Sequence, residues 1–125
     1  MRVKRDLTIL VLEDADDLRA LISLMLETPG RRVLCAANQT EALDLARSTT
    51  IDLLVGDVVL PNLSGPRIAE QLRSLQPGLS VLYISGWYEH PQFPELGGER
   101  LLHKPFSRKT LNEAVAAVLS CRPEV

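Results

Sequence analysis

Leu7-Thr8-Ile9-Leu10-Val11-Leu12-Glu13-Asp14-Ala15-Asp16-Asp17 sets the pattern on which the rest of the chain is built. The first six residues form a solid aliphatic and β-branched run with no polar alternation, as expected of a strand covered on both faces. The run stops abruptly on acids. Leu18, Leu21, Ile22 and Met25 then recur at helical spacing until Thr28-Pro29-Gly30 ends the periodicity. A buried strand, an acidic turn and an amphipathic helix form the first half of a βαβ unit.

The cycle repeats downstream. Val33-Leu34-Cys35-Ala36 reads as a strand, with Cys35 as a small core residue. Asn38 followed by Glu41 gives a capping-box-like start to a helix carrying Ala42, Leu45 and Ala46. Ile51 to Val55 is a third strand, ending at Gly56-Asp57. Ser64-Gly65-Pro66 opens a helix with Ile68, Ala69, Leu72 and Leu75 on one face, and Pro77-Gly78 closes it. Val81-Leu82-Tyr83-Ile84 is a fourth strand and Arg100-Leu101-Leu102-His103 a brief fifth. Ser107 caps a last helix containing Leu111, Ala114, Val115, Val118 and Leu119. Between the fourth and fifth strands, Pro91 and Pro94 each remove a helix donor, so a helix there is expected to be short or irregular. Strands alternating with helices imply right-handed crossovers and a parallel sheet with helices on both faces, an α/β three-layer sandwich. The whole chain, 1–125, is expected to be a single domain with its core over about 7–119.

Composition removes several function classes. A length of 125 residues suits one domain, and 46% apolar residues suffice for a core. Fourteen Lys and Arg against sixteen Asp and Glu give a formal charge of −2, which does not suggest a nucleic-acid partner. No apolar run approaches the roughly 20 residues needed to cross a bilayer. Met1-Arg2-Val3-Lys4-Arg5 leads into no uninterrupted apolar segment of signal-peptide type. Two cysteines, Cys35 and Cys121, make no disulfide framework, so a cytoplasmic location is expected.

In open α/β sheets ligands bind beyond the carboxyl ends of the strands. Glu13 and Asp14 follow the first strand, Asp57 the third, Ser85 the fourth and Lys104 the fifth, so these scattered residues are expected to gather at one sheet edge. Three neighbouring carboxylates repel one another and become tolerable around a divalent cation; an oxygen-only set suits Mg²⁺. Lys104 and the Ser85 hydroxyl could then hold phosphoryl oxygens, leaving one carboxylate as nucleophile. Asp16 and Asp17 are more simply helix-start residues favoured by the dipole, and His90 and His103 are read as surface residues.

These motifs carry a resemblance. Leu12-Glu13-Asp14, Asp57-Val58-Val59-Leu60-Pro61 with Gly65, Ser85-Gly86 and Lys104-Pro105-Phe106, in that order, resemble the receiver domain of the two-component response-regulator family. The resemblance implies a flavodoxin-like, five-stranded parallel sheet of order 2-1-3-4-5. It implies Asp57 as phosphoacceptor, Glu13, Asp14, Asp57 and the Val59 backbone carbonyl as the Mg²⁺ site, Ser85 as a switch hydroxyl and Lys104 as counter-ion. Pro105, in a cis bond, and Gly65 are structural at the site. The implied partner is a sensor histidine kinase or a histidine phosphotransfer protein, and the chain is implied to be a phosphorelay acceptor and not an enzyme with a turning-over substrate. The wording around Leu102-His103-Lys104-Pro105-Phe106 is similar to receivers attached to hybrid sensor kinases. No output segment follows Cys121, so the signal leaves through a partner surface, or the chain is one part of a larger protein.

Two positions depart from the family. Val59 stands where many members carry a polar side chain, so hydrolysis of an aspartyl-phosphate is expected to proceed unassisted by it. Leu101 stands where many carry a rotating aromatic, which puts the usual coupling to Ser85 in doubt; Trp87 is a candidate substitute, and with Tyr88 is otherwise a lid over its loop. The alternative functions are a docking module that is never phosphorylated, a small hydrolase or phosphatase, and a flavin binder. The intact acid and lysine set argues against the first, Val59 in place of a second acid against the second, and acids in place of a phosphate loop against the third.

Overall fold

Val11 pairs with Cys35 on one side and Val55 on the other, so the first strand lies inside a sheet, as its unbroken apolar run requires. The computed structural model describes residues 6–60, 63–86 and 100–120. Within them β1 (Leu7–Leu12), α1 (Asp16–Leu26), β2 (Arg31–Ala36), α2 (Gln39–Ser48), β3 (Leu53–Asp57), α3 (Gly65–Leu75), β4 (Ser80–Ser85), β5 (Arg100–His103) and α4 (Arg108–Ser120) follow in order. The five strands form one sheet of order β2-β1-β3-β4-β5, and every pairing is parallel.

Successive strand side chains point to opposite faces, and each face has its own core. Leu10, Leu12, Leu54, Val81 and Tyr83 pack with Ala42 of α2 and Ile68 and Leu72 of α3. Ile9, Val11, Leu53, Val55, Leu82 and Ile84 pack with Ile22 and Leu26 of α1 and Leu111 and Val115 of α4. The result is the expected three-layer sandwich. Leu101 is half-buried against the first of these cores.

The helix ends follow the sequence signals. Asn38 Oδ1 accepts from Glu41 N–H at 3.0 Å, while Glu41 Oε1 accepts from Ala37 N–H at 2.7 Å, a capping box displaced by one residue. Ser64 and Ser107 cap α3 and α4 by accepting from Arg67 N–H and Thr110 N–H. Asp16 and Asp17 lie in the first turn of α1. The last carbonyls of α1 are satisfied from elsewhere: Arg108 donates to Leu24 and Met25, Asn112 to Met25 and Arg31 to Leu26.

Three details differ from the sequence reading. β3 starts at Leu53 and not Ile51, and takes in Gly56 and Asp57, because pairing with β4 runs to Asp57↔Ile84. β2 starts at Arg31, drawn in by its pairing with Leu7. Cys35 is exposed and not a core residue, because β2 is an edge strand. The expected short helix between β4 and β5, with Trp87, Tyr88 and His90, lies outside the described residues, as does Cys121. No helix among the described residues is long and apolar enough to cross a membrane.

Candidate functional site

The ladder of main-chain hydrogen bonds continues past three strand ends. Glu13 N–H donates to Ala36 O at 3.1 Å, Val58 N–H to Ile84 O at 3.0 Å and Lys104 N–H to Ser85 O at 2.8 Å. Glu13, Asp57 and Lys104 are therefore held at neighbouring points along one sheet edge. Glu13, Asp14 and Asp57 each place a carboxylate oxygen within 4.8 Å of the others. Glu13 and Asp57 are buried and Asp14 is exposed.

Lys104 Nζ stands 3.5 Å from Asp57 Oδ2 and 3.9 Å from Glu13 Oε1. The Lys104–Pro105 peptide bond is cis, and Pro105 itself is exposed. Glu13 Oε2 accepts from Ala15 N–H at 3.0 Å. Burial raises the Glu13 carboxyl from an ordinary 4.5 to about 7; the Ala15 N–H opposes the rise, and neighbouring Asp57 and Asp14 add to it. Asp57 Oδ1 is buried and accepts no hydrogen bond from the described residues. Three carboxylates clustered this closely form an oxygen-only set that suits a hard cation such as a divalent ion.

Ser85 is buried at the end of β4, next to His103 in the sheet register, and its hydroxyl donates to Gly86 O at 3.1 Å. Gly65 N–H donates to Val58 O at 2.8 Å, folding the β3–α3 loop back over the strand end. The Val59 side chain is 44% exposed. His103 is exposed. Among the sequence candidates, Glu13, Asp14, Asp57 and Lys104 come together directly. Ser85 adjoins through the backbone of Lys104, and Gly65 supports from below.

Arg19 is the residue that motif spacing did not single out. It donates to Glu13 O at 3.0 Å and to Asp16 Oδ1 at 2.6 Å. The available signal was its i,i+3 spacing from Asp16, which marks a helix-surface pair and does not reveal the carbonyl contact.

The family model of the response regulator receiver domain matches residues 9–116. The chain belongs to this family. It is 34% identical over 116 residues to the alkaline phosphatase synthesis transcriptional regulatory protein PhoP of Bacillus subtilis, which covers 89% of this chain and 48% of that protein. It is 32% identical over 117 residues to the sensor kinase CckA of Brucella abortus, covering 90% of this chain and 12% of that one. Among solved structures, the receiver domain from the hybrid histidine kinase CckA is similar, with a TM-score of 0.74 and 36% identity over 90% of this chain and 98% of that chain. The chain thus spans less than half of one curated relative and a small part of the other. Receiver domains are signalling modules that take phosphoryl groups from histidine kinases and regulate downstream effectors.

Proposed function

We propose that this receiver accepts a phosphoryl group on Asp57 from the phosphohistidine of a sensor histidine kinase or a histidine phosphotransfer protein, and so switches a surface read by a downstream protein. The supporting observation is the gathering of Glu13, Asp14 and Asp57 within 4.8 Å, with Lys104 Nζ 3.5 Å from the acceptor.

Glu13, Asp14, Asp57 and the Val59 main-chain carbonyl would hold Mg²⁺, which supplies positive charge to the phosphoryl oxygens and offsets the carboxylates. An Asp57 carboxylate oxygen attacks phosphorus; the new P–O bond forms as the P–N bond to the donor imidazole breaks, and the imidazole leaves with a solvent proton. Lys104, already beside Asp57, balances the added negative charge. The Ser85 hydroxyl turns from the Gly86 carbonyl to donate to a phosphoryl oxygen. One acceptor event per donor makes this a switch and not a turnover enzyme.

The test is incubation with Mg²⁺ and acetyl phosphate, followed by intact mass, in parallel with Trp87 fluorescence on adding beryllofluoride. The expected mass gain of one phosphoryl group is abolished by EDTA and by Asp57→Asn. A gain surviving Asp57→Asn means another nucleophile. No gain with any donor overturns the proposal in favour of a docking module.

A further inference from the structure

We propose that Arg19 is a positioning residue that sets the aim of Asp14, and so the cation affinity of the acidic pair; the inference rests on the metal reading above. Asp14 is exposed and sits in the turn between β1 and α1. Its direction depends on the main chain on either side. Glu13 N–H is tied to Ala36 O, and Ala15 N–H is tied to Glu13 Oε2. The carbonyl of the Glu13–Asp14 peptide, on the main chain directly before Asp14, is held by Arg19 Nη1 at 3.0 Å.

The second arm of the same guanidinium reaches Asp16 Oδ1 at 2.6 Å, so one planar group bridges the residue before Asp14 and the first residue of α1. A guanidinium can make both bonds at once because its donors form a rigid fork, whereas a lysine ammonium is a single point. The bland reading is an ordinary surface ion pair, which contributes little. Arg47–Asp44 is such a pair, with the same i,i+3 spacing at 3.1 Å and side chains 60% and 68% exposed. The Arg19–Asp16 arm is also a surface pair, with Asp16 85% exposed. The Arg19 side chain, however, is only 21% exposed, and its other arm enters a part-buried carbonyl contact that Arg47 lacks among the described residues.

The test compares the native chain with Arg19→Ala, Arg19→Lys and, as a matched control away from the site, Arg47→Ala. Mg²⁺ affinity is measured by titration calorimetry, and exchange of the Ala15 amide is measured in the metal-free protein. Arg19→Ala is expected to raise the Mg²⁺ Kd roughly tenfold, the scale on which partners that orient metal ligands act. Arg19→Lys is expected to recover little of the loss and to carry the test should the alanine variant not fold. Arg47→Ala leaves the Kd unchanged. A Kd for Arg19→Ala within about twofold of native overturns the inference. Should the native chain bind no Mg²⁺, the metal reading falls and Ala15 exchange decides. Faster exchange in Arg19→Ala but not Arg47→Ala supports the positioning role, and equal exchange removes it.

Discussion

A Cβ built on Gly65 would lie 2.0 Å from the carbonyl oxygen of Asp57 and 3.0 Å from its carbonyl carbon. Both atoms are backbone at the end of a buried strand, so neither can swing aside as a side chain would. Gly65→Ala must push the loop or Asp57 out of place. Overpacking of this kind costs roughly 1–3 kcal/mol, read as a lower urea midpoint, and phosphorylation by acetyl phosphate should fall along with it. Gly78→Ala is the comparison, since nothing lies within 4 Å of its added carbon; it should leave both measurements near native.

The raised Glu13 carboxyl gives a pH dependence of definite sign. The folded chain keeps this proton up to about pH 7, whereas the unfolded chain loses it near 4.5. The folded state therefore binds more protons across that window, and its metal-free stability declines as pH rises through it. Relative to Glu13→Gln, which does not titrate at this position, the native chain should lose stability between these limits. Saturating Mg²⁺ should shrink the loss, because it favours the ionised carboxylate. Denaturant titrations of both chains in EDTA, then in Mg²⁺, measure it; a constant difference across the window contradicts the prediction.

Removing Lys104 should separate cation binding from phosphoryl acceptance. Its ammonium repels any cation entering the acidic cluster, so Lys104→Ala should bind Mg²⁺ several-fold more tightly. The same change takes away the charge that offsets an incoming phosphoryl group, and the rate of acceptance should fall by about 100-fold. Calorimetry and phosphorylation kinetics on one sample read the two effects, which move in opposite directions.

Val59 is half-exposed and apolar, and its side chain cannot hydrogen-bond a water molecule approaching the acceptor. Val59→Asn supplies a carbonyl and an amide at that place. The aspartyl-phosphate should then decay several-fold faster, as followed by loss of the mass shift after the donor is removed. An unchanged decay shows that this side chain has no bearing on the phosphoryl lifetime.

The alternation of strands and helices and the convergence of the site could be read from the chain because the strands were short apolar runs, four of them followed by chemically distinct residues. The strand order, by contrast, came only from the family resemblance. Glu13, Asp57 and Lys104 needed only the topology rule to be brought to one edge. Strand limits were less accessible: Asp57 belongs to β3 because of its pairing with β4, and no local preference of Gly56 or Asp57 announces that. Cys35 misled because an edge strand leaves side chains exposed that a central strand would bury. The Arg19 contact was out of reach because its partner is a main-chain carbonyl, to which side-chain spacing gives no clue.

The amides of Glu13, Val58 and Lys104 donate to the neighbouring strands beyond the formal ends of the sheet. The segments carrying the acids and the lysine are thereby stiffened like strand and not like loop. Were Asp57 to take up a phosphoryl group as proposed, the strand-like backbone beneath it would resist displacement, and the loops above the sheet edge would be the segments left to respond.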